Sequence, residues 1–295
     1  ENQDLPAYVV LDDPHCLPVD GVRNWSQGWL PPIYQGTPIR PREPRILNLS
    51  PHADLRGRPQ EEQLSLLDKL NQKFARRLGG NDQLEARIRS YELAYRMQAT
   101  APEAVDLSRE SEATKRLYGF GNQDTEPFGR CCLLARRMVE RGVRFVQLFH
   151  EAWDQHGNLV KDLRKNCLDT ERASAALVQD LKSRGMLDET LVVWGGEFGR
   201  TPTSEGVGKP GRDHNHYGFS MWLAGGGFRP GGTYGETDEF GHHAVENVVN
   251  HFDYHATLMH LFGIDPDELV YLRNGREQSL LDGQPGKVVE GLLAG

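Results

Sequence analysis

Residues 143–158 read "VRFVQLFHEAWDQHGN". An apolar run, Phe145 to Phe149, stops abruptly at His150, and Asp154 and His156 follow two positions apart. The run has the length and composition of a buried strand. After it comes "KDLRKNCLDTERASAALVQDLKSRG" (161–185), whose apolar residues Leu168, Ala175, Leu177, Val178 and Leu181 predict a helix closed by Gly185. A second apolar run, "TLVVWGG" (190–196), ends in "EFGR" (197–200). Strand, helix and strand in this order predict a β-α-β unit with parallel strands and a right-handed crossover. In open α/β sheets, ligands bind outside the carboxyl ends of the strands. "HEAWDQHG" and "EFGR" both stand at such ends, so they are expected to face one crevice.

Outward from this core, "GFSMWLAGGG" (218–227) predicts a third strand, and "YHATLMHLFG" (254–263) a last helix with Asp253 as its N-cap. Towards the amino terminus, Leu64, Leu67, Leu70 and Phe74, then Leu84, Ile88, Tyr91 and Tyr95, predict two helices over 60–99, separated by "GGND" (79–82) with Asn81 or Asp82 as cap. Shorter helices are expected near 108–118 and 127–141. Before them, "AYVVL" (7–11) reads as a strand, followed by a Pro- and Arg-rich irregular segment to residue 59. The chain starts "ENQDLPAYVV", without Met and close to that strand, which reads as a fragment or processed product. The expected arrangement is one domain, with residues 1–142 as irregular segment and helices and 143–295 as the β-α-β core.

The chain has 295 residues, 38% hydrophobic and 26% charged, which is globular composition. No signal peptide and no apolar stretch of membrane-spanning length is present. A net charge of −8, spread along the chain, argues against nucleic acid as a partner, since phosphate affinity needs basic surface. Cys16, Cys131, Cys132 and Cys167 show neither zinc-finger spacing nor a disulfide framework. Histidine carries more information. Of 11, nine lie at or after position 150, and seven fall between 214 and 260.

Asp154 and His156 are i and i+2, which in an extended segment places both side chains on one side. His214 and His216 repeat that spacing. A carboxylate and imidazoles at strand ends are ligands for zinc, manganese or iron, and Glu197 adds a second carboxylate. Gly195, Gly196 and Gly199 let the backbone come close to a ligand. Taken singly, each residue also fits a cap or a satisfied core histidine. Arg200 is placed to hold an anion, or to pair with Glu197 or Glu205. His255 and His260 read as helix-face or core residues, and His242 and His243 as exposed loop residues. "GVGKPG" (206–211) lacks the Ser or Thr of a phosphate loop, and no G-x-S-x-G elbow supports a serine hydrolase.

Several of these stretches carry a resemblance. "GVRNWSQGWLPPIYQGT" (21–37), "FHEAWDQHGNL" (149–159), "VVWGGEFGRTP" (192–202), "GRDHNHYGFSMWLAGGGFRPGGTYGETDEFG" (211–241) and "FDYHATLMHLFGI" (252–264) resemble the bacterial family called domain of unknown function 1501. That family is placed among the alkaline-phosphatase-like proteins, with sulfatases and phosphatases. "LAGGGFRPGG" (223–232) and "DYHATLMHLFGI" (253–264) also resemble sulfatase segments directly. The resemblance implies a three-layer α/β/α sandwich around a mostly parallel sheet, lacking here its amino-terminal portion. It places Asp154, His156 and His214 in a first metal site for a divalent ion such as zinc, manganese or calcium. Glu197 falls at the carboxylate of a second site, where Phe198 replaces the expected histidine. The remaining Asp and the nucleophile would precede residue 1, so this chain alone is expected to be inactive and to leave a sheet edge uncovered.

The implied activity is metal-dependent hydrolysis of sulfate or phosphate esters of small molecules or glycans, with Glu197, Arg200 and His216 as catalytic candidates. An exported protein, periplasmic or at the cell surface, is implied by the family alone. The alternative is a non-catalytic exported binding or assembly protein that keeps the fold. The geometric expectation is sharp: the nearest nitrogen and oxygen atoms of Asp154, His156 and His214 should lie within roughly 5 Å of one another, since metal bonds are about 2 Å each.

Overall fold

The computed structural model describes residues 2–294 except positions 14, 16, 29, 51–59, 79–81, 207, 209, 274 and 282. Cys16, the candidate cap Asn81 and Lys209 of the rejected phosphate loop lie outside the described residues. The chain divides into two compact units: residues 1–151 with 167–177, and residues 152–166 with 178–295.

The first unit is built on a three-stranded parallel sheet. Its strands are β1 (Tyr8–Leu11), β2 (Thr37–Ile39) and β3 (Phe145–Leu148), in the order β2-β1-β3. Central β1 carries Val9, Val10 and Leu11, all fully buried, the continuous apolar run of a strand covered on both faces. Strand β2 lies in the segment read as irregular, and Pro38 hid it. Proline cannot donate to a ladder, so it belongs on an edge strand, which β2 is.

Helices α1 (Gln60–Leu78) and α2 (Asp82–Ala104) form where the periodicity placed them. Their apolar stripes are less covered than expected, with Leu67, Leu70, Phe74 and Tyr91 exposed. Ala86, Met97, Ala101 and Ala104 form the buried side of α2. The helix expected near 108–118 is a 3-10 turn, Leu107–Arg109, followed by α3 (Glu112–Leu117). Ser111 separates them by accepting a hydrogen bond from the Thr114 amide, 3.0 Å, as an N-cap.

Helix α4 (Glu126–Glu140) supplies Cys131, Cys132, Leu133, Leu134 and Met138 to the core around β1. It packs so tightly that a Cβ on Gly129 would stand 2.1 Å from the Tyr118 carbonyl oxygen. Arg136 and Arg137 are buried on the same helix, and the Glu110 carboxylate forms ion pairs with both guanidinium groups. Arg141 hydrogen-bonds Glu103 and is the main cause that holds its pKa down to about 2, with burial opposing.

Helix α5 (Leu159–Ser183) runs as expected and ends with Gly185 in the left-handed region, φ 68°. Its buried face differs from the predicted stripe. Leu168 and Ala175 are exposed, while Asn166, Asp169, Thr170, Ala173, Ala176, Asp180 and Leu181 are buried. The spacing is helical, but half the face is polar, so counting apolar residues alone shifted it. Among the polar members, Asn166 donates to the Ala152 carbonyl and Asp180 accepts from Arg184 at 2.8 Å.

The second unit contains short antiparallel pairs. Strands β4 (Val192–Trp194), β5 (Gly199–Arg200), β6 (His214–Asn215) and β7 (Trp222–Ala224) are followed by β8 (Glu236–Thr237) and β9 (Ala244–Glu246). β4 pairs with β7, β5 with β6 and β8 with β9. Helix α6 (His251–Leu261) precedes the hairpin β10 (Val270–Arg273) and β11 (Arg276–Ser279). The cap of α6 is Asn250, not Asp253: its side chain accepts from the amides of Phe252 and Asp253, each at 2.9 Å. Ala256, Met259 and Leu281 are buried together beneath that helix.

The predicted β-α-β unit is corrected by these pairings. β3 bonds to β1 in the parallel sheet, whereas β4 pairs antiparallel with β7, Trp194 opposite Trp222. An apolar run shows that a strand is buried; it does not show which strand completes its ladder. The chain is therefore mixed α/β, with one parallel sheet among the described residues. No helix among the described residues is long and apolar enough to cross a membrane.

Candidate metal centre

The loop between β3 and α5 is held by its own polar groups. Ala152 and Asn158 take left-handed φ values of 65° and 50°. Buried Gln155 and Asn166 both donate to the Ala152 carbonyl. The Arg212 amide donates to the Gln155 carbonyl at 2.9 Å, tying the loop to the segment before β6. That approach needs Gly211, because a Cβ there would stand 2.0 Å from the His156 carbonyl carbon.

The β5–β6 pair supplies the other side. Arg200 stands directly opposite His214 in its register. Directly opposed residues share a face of the ladder, so both side chains reach one point. The Thr201 amide donates to the Asp213 carbonyl at 2.9 Å, and the Asp213 amide to the Thr201 hydroxyl at 3.1 Å. Asn215, buried, donates to the His242 carbonyl at 2.9 Å and anchors the strand end.

The point they reach is Asp154 Oδ1. Arg200 Nη2 lies 2.6 Å from it, His156 Nε2 3.0 Å and His214 Nε2 3.1 Å. Asp154, His156 and His214 each offer one ligand atom, all within 4.8 Å of one another, as the sequence spacing and the resemblance led us to expect. A second group, His156, Glu205 and Asp213, meets the same distance. His156 belongs to both because its Nδ1 hydrogen-bonds the Glu205 carboxylate. The Phe198 ring rests 4.3 Å from that of His214, centroid to centroid.

Protonation follows these contacts. Burial opposes ionisation of Asp154, but hydrogen bonds from Arg200 and His214 outweigh it and keep its carboxyl below the usual carboxylate range. The hydrogen bond to Glu205 is the largest influence on His156. With the nearby carboxylate charges it overcomes partial desolvation and raises the imidazole above its ordinary pKa.

Other expected site residues fall elsewhere. Glu197 sits exposed in a bend between β4 and β5, outside both ligand groups. His216 lies in a bend beyond the end of β6, its ring 4.0 Å from that of Tyr217, and it belongs to neither ligand group. Arg200 pairs with Asp154, not with Glu197 or Glu205. Glu205 and Asp213 were missed as members of the cluster. Asp213 was marked by adjacency to His214, whereas Glu205 lies in an irregular segment with no period to flag it.

Two imidazole nitrogens and a carboxylate oxygen form a zinc-type donor set, which leaves room for a further ligand. The three ligand atoms of Asp154, His156 and His214 lie close enough together to hold one ion, so the residues fit a divalent cation. No curated protein and no solved structure matches this chain. The family described as "Protein of unknown function (DUF1501)" matches residues 1–293, and the chain belongs to that family.

Proposed function

We propose that the protein is a metal-dependent hydrolase of sulfate or phosphate esters, with the layered architecture of alkaline-phosphatase-like proteins. One observation supports this above the rest: Asp154, His156 and His214 converge within 4.8 Å beside a guanidinium group. Asp154, His156 and His214 would hold a divalent ion, which supplies a Lewis acid able to polarise an ester oxygen. Arg200 orients the anion, since its planar fork matches sulfate and phosphate oxygens. Phe198 shields one side of the His214 ring from water. Export to the periplasm or cell surface is part of the same proposal.

The test is zinc binding by equilibrium dialysis, with hydrolysis of aryl sulfates and aryl phosphates measured on the same protein. One ion per wild-type chain and none in Asp154→Ala is expected, with any hydrolysis lost in the same variant. A wild-type chain that binds no zinc overturns the reading. A second reading, a binding protein that retains one ion, is favoured by Glu197 lying outside the cluster and by Phe198 following it. Bound zinc without hydrolysis of either ester class would select that reading.

A further inference from the structure

Glu205 has no role in the proposed chemistry, yet its side chain is 21% exposed and it meets the ring nitrogen of His156 that faces away from Asp154. An imidazole ligates through a nitrogen lone pair, and a neutral ring has one such nitrogen. Which nitrogen keeps the proton is set by the partner of the other. At His156, Nε2 faces Asp154 and His214 while Nδ1 faces Glu205. We propose that Glu205 is the positioning residue of this centre: its carboxylate accepts the Nδ1 proton of His156 and so fixes the ring with the Nε2 lone pair aimed at the ion. The inference rests on the metal reading above. A carboxylate behind a ligating histidine both orients the ring and makes it a stronger donor. Asp213, the other carboxylate near His156, is engaged elsewhere: its Oδ1 accepts the His214 amide at 2.7 Å. Glu205 is therefore the acceptor committed to the ring.

Two measurements on the full chain test this. In the first, zinc affinity is read by competition with a chelator for wild type, Glu205→Ala, Glu205→Gln and Asp154→Ala. Glu205→Ala is expected to weaken zinc by about 10–100-fold. Glu205→Gln, whose amide oxygen still accepts the proton, should lose less, and Asp154→Ala should lose binding altogether. In the second, nitrogen NMR of the metal-free protein reads the neutral tautomer of His156, which should carry its proton on Nδ1 in wild type and lose that preference in Glu205→Ala. Unchanged affinity and an unchanged tautomer in Glu205→Ala overturn the inference. So do two zinc ions in wild type with one lost in Glu205→Ala, because Glu205 is then a ligand itself. A wild type that binds no zinc sinks the metal reading instead, and the tautomer still decides whether Glu205 fixes the ring. If Glu205→Ala fails to fold, the Gln variant supplies both readings.

Discussion

Asp154 Oδ1 receives a guanidinium and two imidazoles, and these partners do not all help an ion to bind. On the proposed reading His156 and His214 would donate to a metal, whereas Arg200 is a competing cation 2.6 Å from the Asp154 oxygen. Removing it frees the oxygen and removes a repulsion. In a site where the Asp154 side chain is 60% exposed, solvent screens most of that repulsion. Arg200→Ala should therefore tighten zinc by about 1 kcal/mol, roughly fivefold. On the proposed function, the same variant should raise KM for an anionic ester, because the group proposed to orient the anion is gone. Calorimetric zinc titration reads the first effect, and steady-state kinetics the second. Weaker zinc binding in Arg200→Ala would mean that Arg200 holds Asp154 in place instead of competing for it.

At the scale of elements, one close approach and one ion-paired carboxylate can be tested. Gly211→Ala puts a methyl group 2.0 Å from the His156 carbonyl carbon, and backbone must move on both sides. It should cost about 1–3 kcal/mol of stability. It should also lower zinc affinity without touching a ligand, which thermal melts and a zinc titration on one preparation will show. In the first unit, Glu103 titrates low in the folded chain, at about 2. A depressed carboxyl stabilises the fold above its unfolded pKa, about 4.3, and that contribution fades as pH falls towards 2. Wild-type melting should drop over that window more steeply than Glu103→Gln, and parallel curves would remove Glu103 from the account. The sequence showed these elements unevenly. The long helices α1, α2, α4 and α5 were legible because length and period agree over several turns, whereas the expected helix at 108–118 divides into a 3-10 turn and the six-residue α3. Residues 37–39 were not, because a proline edge strand has no apolar signature. The partner of β4 was not, because pairing is decided by chain segments far apart. In the centre, Asp154, His156 and Arg200 were picked out where apolar runs end, and His214 by its spacing from His216 and by the resemblance. Glu205 had only three-dimensional proximity to His156 to mark it.

At the scale of the molecule, the candidate ligand atoms come from two segments of the second unit, one before α5 and one more than fifty residues later. Among the described residues, the unit's strands are two to four residues long and its fully buried apolar cluster is small. The first unit, by contrast, has a continuous core around β1 and α4. An ion that joins residues 154 and 156 to 214 therefore adds its stabilisation where packing supplies least. At a hundredfold excess over Kd, binding to the folded state is worth about 2.7 kcal/mol. Hydrogen exchange should show this as slower exchange in residues 152–158 and 199–215 when zinc is added, while β1 and α4 remain as they were. Asp154→Ala should abolish the zinc effect without changing exchange in the first unit. Equal protection of both units would show that they open together, and the stabilisation would then belong to the whole chain, not to the segments that carry the ligands.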